Sequence, residues 1–152
     1  MTEIDLRPAT SADEAFLAAA FAAGRPELAL LPVGLHELQV RAQRSHFARE
    51  YPGYHEYVVR QHGRPVGRCL HWTGPAEHRL LDLSVVVERQ GAGIGSAVLQ
   101  QLLDRAEQAG LPFALHVWAA NTGAQRLYHR LGLRPGPASG GYLSMCRRPE
   151  AS

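Results

Sequence analysis

The chain has 152 residues, of which 45% are hydrophobic and 20% are charged, and its formal net charge at pH 7 is +2. This composition is typical of one globular domain spanning residues 1–152, and it excludes a disordered chain. The basic residues form no dense run, so we expect no nucleic-acid-binding surface. No run of about 18 apolar residues occurs, so we expect no membrane span.

Cysteine and histidine usage bears on location and metal binding. The two cysteines, Cys69 and Cys146, can form at most one disulfide bridge, which favours a reducing compartment. The first ten residues carry charges and no apolar segment, so no secretion signal is expected there. Together these observations predict a cytoplasmic protein. The eight histidines form no His-x-x-x-His pair and no Cys-x-x-Cys motif occurs, so no metal site is expected.

A strand and a helix are the first elements predicted along the chain. Residues 4–7 form a short strand that ends at Pro8. Ser11 and Glu14 match a capping box, which predicts that an alanine-rich helix begins near residue 12 and ends at Gly24.

A second helix is predicted over residues 34–51, and a β-hairpin follows it. We expect the apolar stripe of this helix to contain Leu35, Leu38, Ala42 and, near its end, Phe47. The hairpin pairs residues 54–60 with residues 65–72 around a turn at His62-Gly63.

The second half of the chain alternates strands and helices. A strand over residues 80–87 is predicted to place Leu81, Leu83, Val85 and Val87 on one face and Leu80, Asp82, Ser84 and Val86 on the other. The elements expected after it are a glycine turn, a helix over 96–108, a strand over 113–118, a helix over 121–131, a loop over 135–141 and a strand over 142–147.

This order of elements predicts a mixed α/β fold with one central sheet. The three consecutive strands favour antiparallel pairing, whereas the βαβ unit between residues 80 and 118 favours one parallel pair. We therefore expect a mostly antiparallel sheet with helices on both faces.

The glycine turn, Gln90-Gly91-Ala92-Gly93-Ile94-Gly95, joins a strand to a helix. Such a turn brings main-chain N–H groups close to a ligand, and the helix start attracts anions, so it predicts a phosphate cradle. The turn lacks the Gly-Lys-Ser/Thr of a Walker A loop, and Ser96 stands where a dinucleotide fingerprint needs its last glycine. A tight turn without a ligand is the alternative.

Two motifs in this region resemble those of the GCN5-related N-acetyltransferases. Gln90-x-x-Gly93-x-Gly95 matches the acyl-CoA signature Arg/Gln-x-x-Gly-x-Gly/Ala. A later segment matches Asn-x-x-Ala-x-x-x-Tyr-x-x-x-Gly through Asn121, Ala124, Tyr128 and Gly132. The resemblance covers residues 80–133 and implies the fold of that family with acetyl-CoA as the co-substrate.

The resemblance also implies roles for individual residues. The CoA pyrophosphate would be held by the main-chain amides of Gln90, Gly91, Ala92, Gly93, Ile94, Gly95 and Ser96. The pantetheine arm would lie between two splayed strands, against Leu83, Val85, Val86 and Val87. Asn121 and Ala124 would belong to the same cofactor site, and Tyr128 would bind there and protonate the departing thiolate.

The spacing of the residues bears on two of these roles. Asn121 and Tyr128 lie seven residues apart, so they share a helix face. A phenol keeps its proton at pH 7 and can donate it. Each residue also has a structural reading, because Asn121 suits a helix cap and Tyr128 suits a core position.

A base must remove a proton from the attacking amine. Asp82 is the first candidate, because it projects from the polar side of the predicted central strand. His116, on the neighbouring strand, is the second, because its ring titrates near pH 7. A water chain and an amine that arrives neutral are alternatives. Some members of the similar family carry a glutamate where this chain has Leu81.

The sequence therefore predicts an enzyme that transfers an acetyl group from acetyl-CoA to a primary amine by direct attack in a ternary complex. The acceptor amine is a small molecule, a peptide or a protein, and its specificity is expected to come from residues 12–51, the hairpin loop and residues 135–141. Similar proteins often form homodimers. The alternatives are a non-catalytic acyl-CoA-binding or sensing module and, more remotely, a nucleotide-dependent oxidoreductase.

Overall fold

The computed structural model describes residues 3–28 and 30–150. Within these ranges seven strands form one sheet in the order β1-β2-β3-β4-β5-β7-β6. The elements are β1 (Ile4–Pro8), α1 (Glu14–Ala23), α2 (Val33–Glu50), β2 (His55–Gln61), β3 (Arg64–Thr73), β4 (His78–Val85), α3 (Ile94–Ala109), β5 (Phe113–Trp118), α4 (Thr122–Arg130), β6 (Arg134–Ser139) and β7 (Tyr142–Arg147). All strand pairs in this sheet are antiparallel except β4 with β5. The predicted mixed fold is confirmed.

Helices cover both faces of the sheet. The larger apolar cluster joins α3 to the inner face of the sheet, and Tyr128 and Leu131 of the α4 region pack against it. A smaller cluster on the opposite face joins α1 and α2 through Ala18, Phe21, Leu28 and Val40. No helix in the described ranges is both long and apolar enough to cross a membrane.

The predicted apolar stripe of α2 is wrong. Leu35 and Leu38 are 41% and 53% exposed, whereas Val40 is buried. The side of α2 that faces the protein also carries Gln43 and Arg44, because the surfaces beneath it present carboxylates rather than apolar groups. Helix α2 is therefore attached largely by hydrogen bonds and ion pairs.

The capping box is displaced by one residue from its predicted position, and α1 begins at Glu14 rather than near residue 12. The capping box is formed by Thr10 and Asp13, with the Thr10 N–H donating to the Asp13 carboxylate at 2.8 Å. Arg7 binds the same carboxylate at 2.8 Å, and this hydrogen bond lowers the pKa of Asp13 to about 2. Glu14, the predicted capping partner of Ser11, pairs instead with Arg44 at 2.8 Å.

Strand β4 ends two residues earlier than predicted and contains a β-bulge. His71 pairs with Leu80 and Leu70 pairs with Asp82, so Leu81 is an extra residue on β4. The bulge breaks the predicted alternation, because Leu80 now packs in the same cluster as Leu83 and Val85. Val86 and Val87 lie beyond the strand, in a short turn.

Strands β4 and β5 separate shortly after they meet. Their parallel pairing covers His78 with Phe113 and Arg79 with Ala114. The bulge at Leu81 follows directly, while β5 remains paired with β7 from Phe113 to Trp118. The part of β4 beyond the bulge therefore has no partner strand on its β5 side, and the sheet opens there.

Residues 135–141, predicted as a loop, contain most of an edge strand, β6. Pro135 and Pro137 are tolerated because β6 is the last strand of the sheet and its pairing with β7 is irregular between Pro135 and Ala138. Gly140 and Gly141 form the turn to β7 with φ values of +59° and +85°.

Two buried histidines lie on β3 and β4, next to the larger apolar cluster. His71 is fully buried, and neither of its ring nitrogens has a hydrogen-bond partner within residues 3–28 and 30–150. Its ring centroid lies 5.6 Å from that of His78. Burial lowers the pKa of His71 to about 3 and also lowers the pKa of His78. Both rings are therefore neutral in the folded protein near pH 7.

We predict that the free energy of unfolding decreases as the pH falls below about 6.5. Below this pH the histidines of the unfolded chain are protonated, whereas the buried rings of the folded protein stay neutral. For His71, stability is therefore lost between its unfolded pKa, near 6.5, and its folded pKa of about 3. The slope is up to about 1.4 kcal/mol per pH unit for each proton. Urea denaturation between about pH 7 and pH 5, where carboxylates stay ionised, measures it. His71→Leu should reduce the slope, and an equal slope in both proteins would contradict the prediction.

Candidate active site

The glycine turn before α3 presents a row of main-chain N–H groups. Gly91 and Gly93 adopt left-handed conformations, with φ of +80° and +82°, and a Cβ atom at either position would meet no atom within 4 Å. The first intrahelical bond of α3 runs from the Ala97 N–H to the Gly93 carbonyl at 3.1 Å. The amides from Gly91 to Ser96 donate to no main-chain carbonyl in the described residues, so they can bind an anion.

Gln90 differs from the other residues of the turn. Its main-chain N–H donates to the Val87 carbonyl at 3.2 Å, so it is not part of the open row. Its side-chain amide donates to the carbonyls of Val85 at 2.9 Å and Ala23 at 3.1 Å. Gln90 therefore fastens the end of β4 to the end of α1.

The edge of β4 lies directly before this turn. Leu83 and Val85 belong to the strand, on the stretch that has no partner on the β5 side. The Val86 N–H donates to the Val66 carbonyl at 2.9 Å, and Val87 is 67% exposed in the turn that follows. The strand edge predicted for a pantetheine arm thus extends only to Val85.

Helix α4 brings Tyr128 to the same face of the sheet. Asn121 caps the helix through its side-chain oxygen, which accepts the Ala124 N–H at 3.1 Å, and Ala124 packs against the larger cluster. The Tyr128 ring packs there too, while its hydroxyl has no hydrogen bond to the described part of the chain. Burial raises the pKa of the Tyr128 phenol, and the Asp82 charge raises it further. The phenol is therefore protonated at neutral pH.

A cleft of about 760 Å³ lies on the opposite face of the sheet. It contains both predicted candidate bases, Asp82 and His116. The residues that line it are Arg25, Gln43, His46, Phe47, Leu81, Asp82, His116, Pro137, Ser139, Tyr142 and Ser144. Residues from the ranges 12–51 and 135–141 contribute to this lining, whereas the hairpin loop does not.

Asp82 and His116 are both engaged within the protein. The Asp82 Oδ2 atom accepts hydrogen bonds from Arg25 at 3.2 Å, Gln43 at 3.1 Å and Arg68 at 3.4 Å. The His116 Nδ1 atom lies 3.3 Å from a guanidinium nitrogen of Arg79. Because arginine only donates, Nδ1 accepts this bond and the neutral ring carries its hydrogen on Nε2. Burial and the Arg79 charge lower the pKa of His116.

The sequence reasoning missed Arg25, Gln43 and Arg68, which surround Asp82. Arg68 is fully buried on β3 and binds Glu56 at 2.9 Å and Gln43 at 2.6 Å. The available signal was the position of Arg68 between Val66 and the apolar pair Cys69 and Leu70, because a charge buried among apolar residues requires a partner.

Neither cysteine lines the cleft. Cys69 is fully buried, and burial raises the pKa of its thiol to about 12; the pKa of Cys146 is also raised. Within residues 3–28 and 30–150, no three His, Cys, Asp or Glu side chains come close enough together to hold a metal ion.

Comparisons with known proteins bear on both motifs. The chain matches the acetyltransferase (GNAT) family over residues 25–133. Its fold is similar to the protein PH1933 from Pyrococcus horikoshii OT3, with a TM-score of 0.79, 21% identity, and coverage of 99% of this chain and 100% of that chain. Among curated proteins, none matches the chain.

Two acetyltransferases of known structure share the fold. The PaiA N-acetyltransferase from Thermoplasma acidophilum, in complex with coenzyme A, has a TM-score of 0.72 and 15% identity, covering 96% of this chain and 99% of that one. The ribosomal-protein-S18-alanine N-acetyltransferase from Escherichia coli has a TM-score of 0.68 and 21% identity, covering 100% and 97%.

The family match spans more than half of the chain and includes the glycine turn, β5 and all of α4. It favours the acetyltransferase interpretation over a nucleotide-dependent oxidoreductase. The chain belongs to the GNAT acetyltransferase family and is an acyl-CoA-dependent acetyltransferase.

Proposed function

We propose that the protein transfers the acetyl group of acetyl-CoA to a primary amine by direct attack in a ternary complex. One observation carries this proposal. The sheet opens between β4 and β5, with the open amides and Tyr128 on one face and the cleft that holds Asp82 and His116 on the other. A thioester lying in this opening would be accessible from both faces.

The residues near the opening fit acetyl-CoA. The amides from Gly91 to Ser96 would hold its diphosphate, because they lack protein acceptors and lie at a helix start. The edge of β4 up to Val85 and the Asn121 region would hold the pantetheine arm. Acetyl-CoA would supply an activated acyl group, and the CoA-bound PaiA structure of similar fold supports this choice of co-substrate.

Tyr128 is the proposed general acid. Its hydroxyl makes no hydrogen bond within the described residues, and its raised pKa keeps the proton available at neutral pH. The phenol would protonate the departing thiolate, and main-chain N–H groups at the strand edge would stabilise the oxyanion.

Asp82 is the proposed base. Three donors bind Oδ2, which leaves Oδ1 to meet the amine in the cleft. His116 is less suited in its present tautomer, because Nδ1 faces Arg79 and Nε2 carries the hydrogen. We assign His116 the role of a hydrogen-bond donor to the acceptor or to the developing oxyanion.

No cysteine lines the cleft, which supports direct attack rather than an acyl-cysteine intermediate. The acceptor is a small molecule, a peptide or a protein terminus. The name of the Escherichia coli neighbour specifies an alanine of ribosomal protein S18, so protein termini belong in the first panel of acceptors. A cytoplasmic location and a homodimer stay predictions.

We predict that Ala92→Asp weakens CoA binding by at least about tenfold, because a carboxylate in the turn repels the diphosphate. Ala92 is exposed and does not have a positive φ, so the fold tolerates the change. Ala92→Asn is the matched neutral control, and calorimetric titration with CoA measures both. Equal affinity of the two variants would contradict the assignment of the cradle.

Tyr128→Phe is predicted to lower kcat about 10- to 1000-fold and to leave CoA affinity nearly unchanged. The phenylalanine ring keeps the core packing, so the melting temperature should change little. Free-thiol release with an active amine measures the rate. Unchanged turnover would remove Tyr128 from the mechanism and would favour a different proton donor.

A substitution of His116 distinguishes between Asp82 and His116 as the base. Replacing Asp82 would leave the buried Arg68 without one of its charged partners, so a loss of activity there would be ambiguous. His116→Gln is expected to lower kcat/KM less than about tenfold. If Asp82 is the base, the variant should also keep the decrease in kcat/KM toward low pH, the acidic limb of the pH profile, that the wild type shows. Loss of that limb would instead identify His116 as the base.

A further inference from the structure

Six charged side chains form a continuous line from solvent to the cleft. The line starts at Glu14 and passes through Arg44, Glu56, Arg68 and Asp82 to Arg25. Its successive contacts measure 2.8, 2.8, 2.9, 3.4 and 3.2 Å. Signs alternate at each step, so each internal charge lies between two opposite charges. We call these six side chains the charge line.

The two ends of the charge line differ. Glu14 is 53% exposed on the outer surface, where water solvates its charge. Arg25 is 26% exposed and lines the cleft, and its neighbour Asp82 is shared with the fully buried Arg68. The single Asp82 carboxylate therefore faces two guanidinium groups. Arg25 and Asp82 are the charged side chains that line the cleft, so Arg25 is the cation that the cleft presents to an acceptor.

The Arg25 side chain is held in place by contacts that do not use all of its N–H donors. Its guanidinium lies 3.8 Å from the centroid of the Phe21 ring. It donates to the Phe21 carbonyl at 3.1 Å, to the Asp82 carboxylate at 3.2 Å and to the Ser84 hydroxyl at 3.5 Å. An arginine has five N–H donors, so two remain, including that on Nε, which has no acceptor in the described residues.

We propose that Arg25 binds a carboxylate of the acceptor, and that the acceptor is therefore an amine bearing a carboxylate group. This inference rests on the proposed N-acetyltransferase function and adds the substrate class. The acceptor carboxylate extends the alternation of the charge line by one further charge. A guanidinium fixed by stacking and hydrogen bonds suits this role because little side-chain entropy is lost on binding.

The same geometry places the amine. Asp82 lies within hydrogen-bond distance of Arg25 and keeps Oδ1 for the amine. Amine and carboxylate would thus bind close together, as they stand on an α-amino acid or on a peptide with an acidic residue near its amino terminus. Phe47, Leu81 and Tyr142 line the remainder of the cleft and would contact the apolar part of the acceptor.

The test compares amines that differ by one carboxylate, in the wild-type protein and in Arg25→Gln. One set contains L-amino acids and their amides, and a second contains the peptide pair Ala-Glu-Ala-amide and Ala-Gln-Ala-amide. The readout is the ratio of kcat/KM within each pair. The intrinsic reactivity of each amine is the same with both proteins, so it cancels when the ratios are compared. A general loss of structure lowers both members alike and leaves the ratio unchanged.

We expect the wild-type ratio to exceed that of Arg25→Gln by at least about tenfold, mainly through KM. Arg25→Lys should give an intermediate ratio, because lysine keeps the charge but not the planar fork. Arg60→Gln, which removes an exposed pair with Asp5 on another part of the sheet, should keep the wild-type ratio. A preference limited to the first set identifies free amino acids, and one that includes the second identifies peptides. Equal ratios in wild type and Arg25→Gln would overturn the proposal.

Failure of the proposed N-acetyltransferase function can be distinguished from failure of the proposed role of Arg25. If no amine in either set is acetylated, the proposed N-acetyltransferase function fails for these acceptors. Calorimetric titration of the CoA-loaded protein with the same amines then decides the role of Arg25. Carboxylate-dependent binding that Arg25→Gln abolishes supports it, and binding that ignores the carboxylate refutes it.

Discussion

The opening between β4 and β5 is the constraint on which the proposed active site depends. Two strands that pair in parallel at His78 and Arg79 would normally continue side by side, since each lost ladder bond leaves polar main-chain groups exposed. The extra residue at Leu81 ends that continuity by changing the course of β4, and β7 holds β5 in place on its other side. One bulge thus creates an unpaired strand edge within the sheet, and both faces of the molecule meet there.

The two faces are built by different forces. On the α3 and α4 side, close-packed aliphatic residues hold Tyr128 and the glycine turn, so the cofactor side is rigid for the same reason that any core is rigid. On the α1 and α2 side, the apolar cluster is small, and the charge line and Gln43 supply many of the contacts that hold the helices in place. Directional hydrogen bonds fix the positions of Arg25 and Asp82 in the cleft, which suits a surface that must recognise a polar acceptor.

The sequence predicted those features that depend on local patterns. Helix α3, the hairpin at His62-Gly63 and the strands at Phe113–Trp118 and Tyr142–Arg147 follow from periodicity and turn chemistry, and they are confirmed. The predictions were wrong where residues distant in the sequence determine the local structure. Leu35 and Leu38 form a stripe by spacing, yet α2 turns another side inward because Glu14 and Glu56 bind Arg44. A bulge at Leu81 and an edge strand with two prolines depend on pairing partners that no local window contains. The cradle could be predicted from its glycines, whereas the surroundings of Asp82 could not, since Arg25 and Arg68 reach it from other elements.

Gln90, a residue of the acyl-CoA signature, also has a structural role. One amide group spans the carbonyls of Ala23 and Val85, and the backbone of the same residue leads directly into the phosphate cradle. Ala23 is the last residue of α1, two positions before Arg25. The Gln90 side chain therefore links the strand edge to the end of the helix that leads to Arg25. The residue that begins the phosphate cradle is therefore hydrogen-bonded to the helix that precedes Arg25, so one residue joins parts of the protein that serve opposite faces of the sheet.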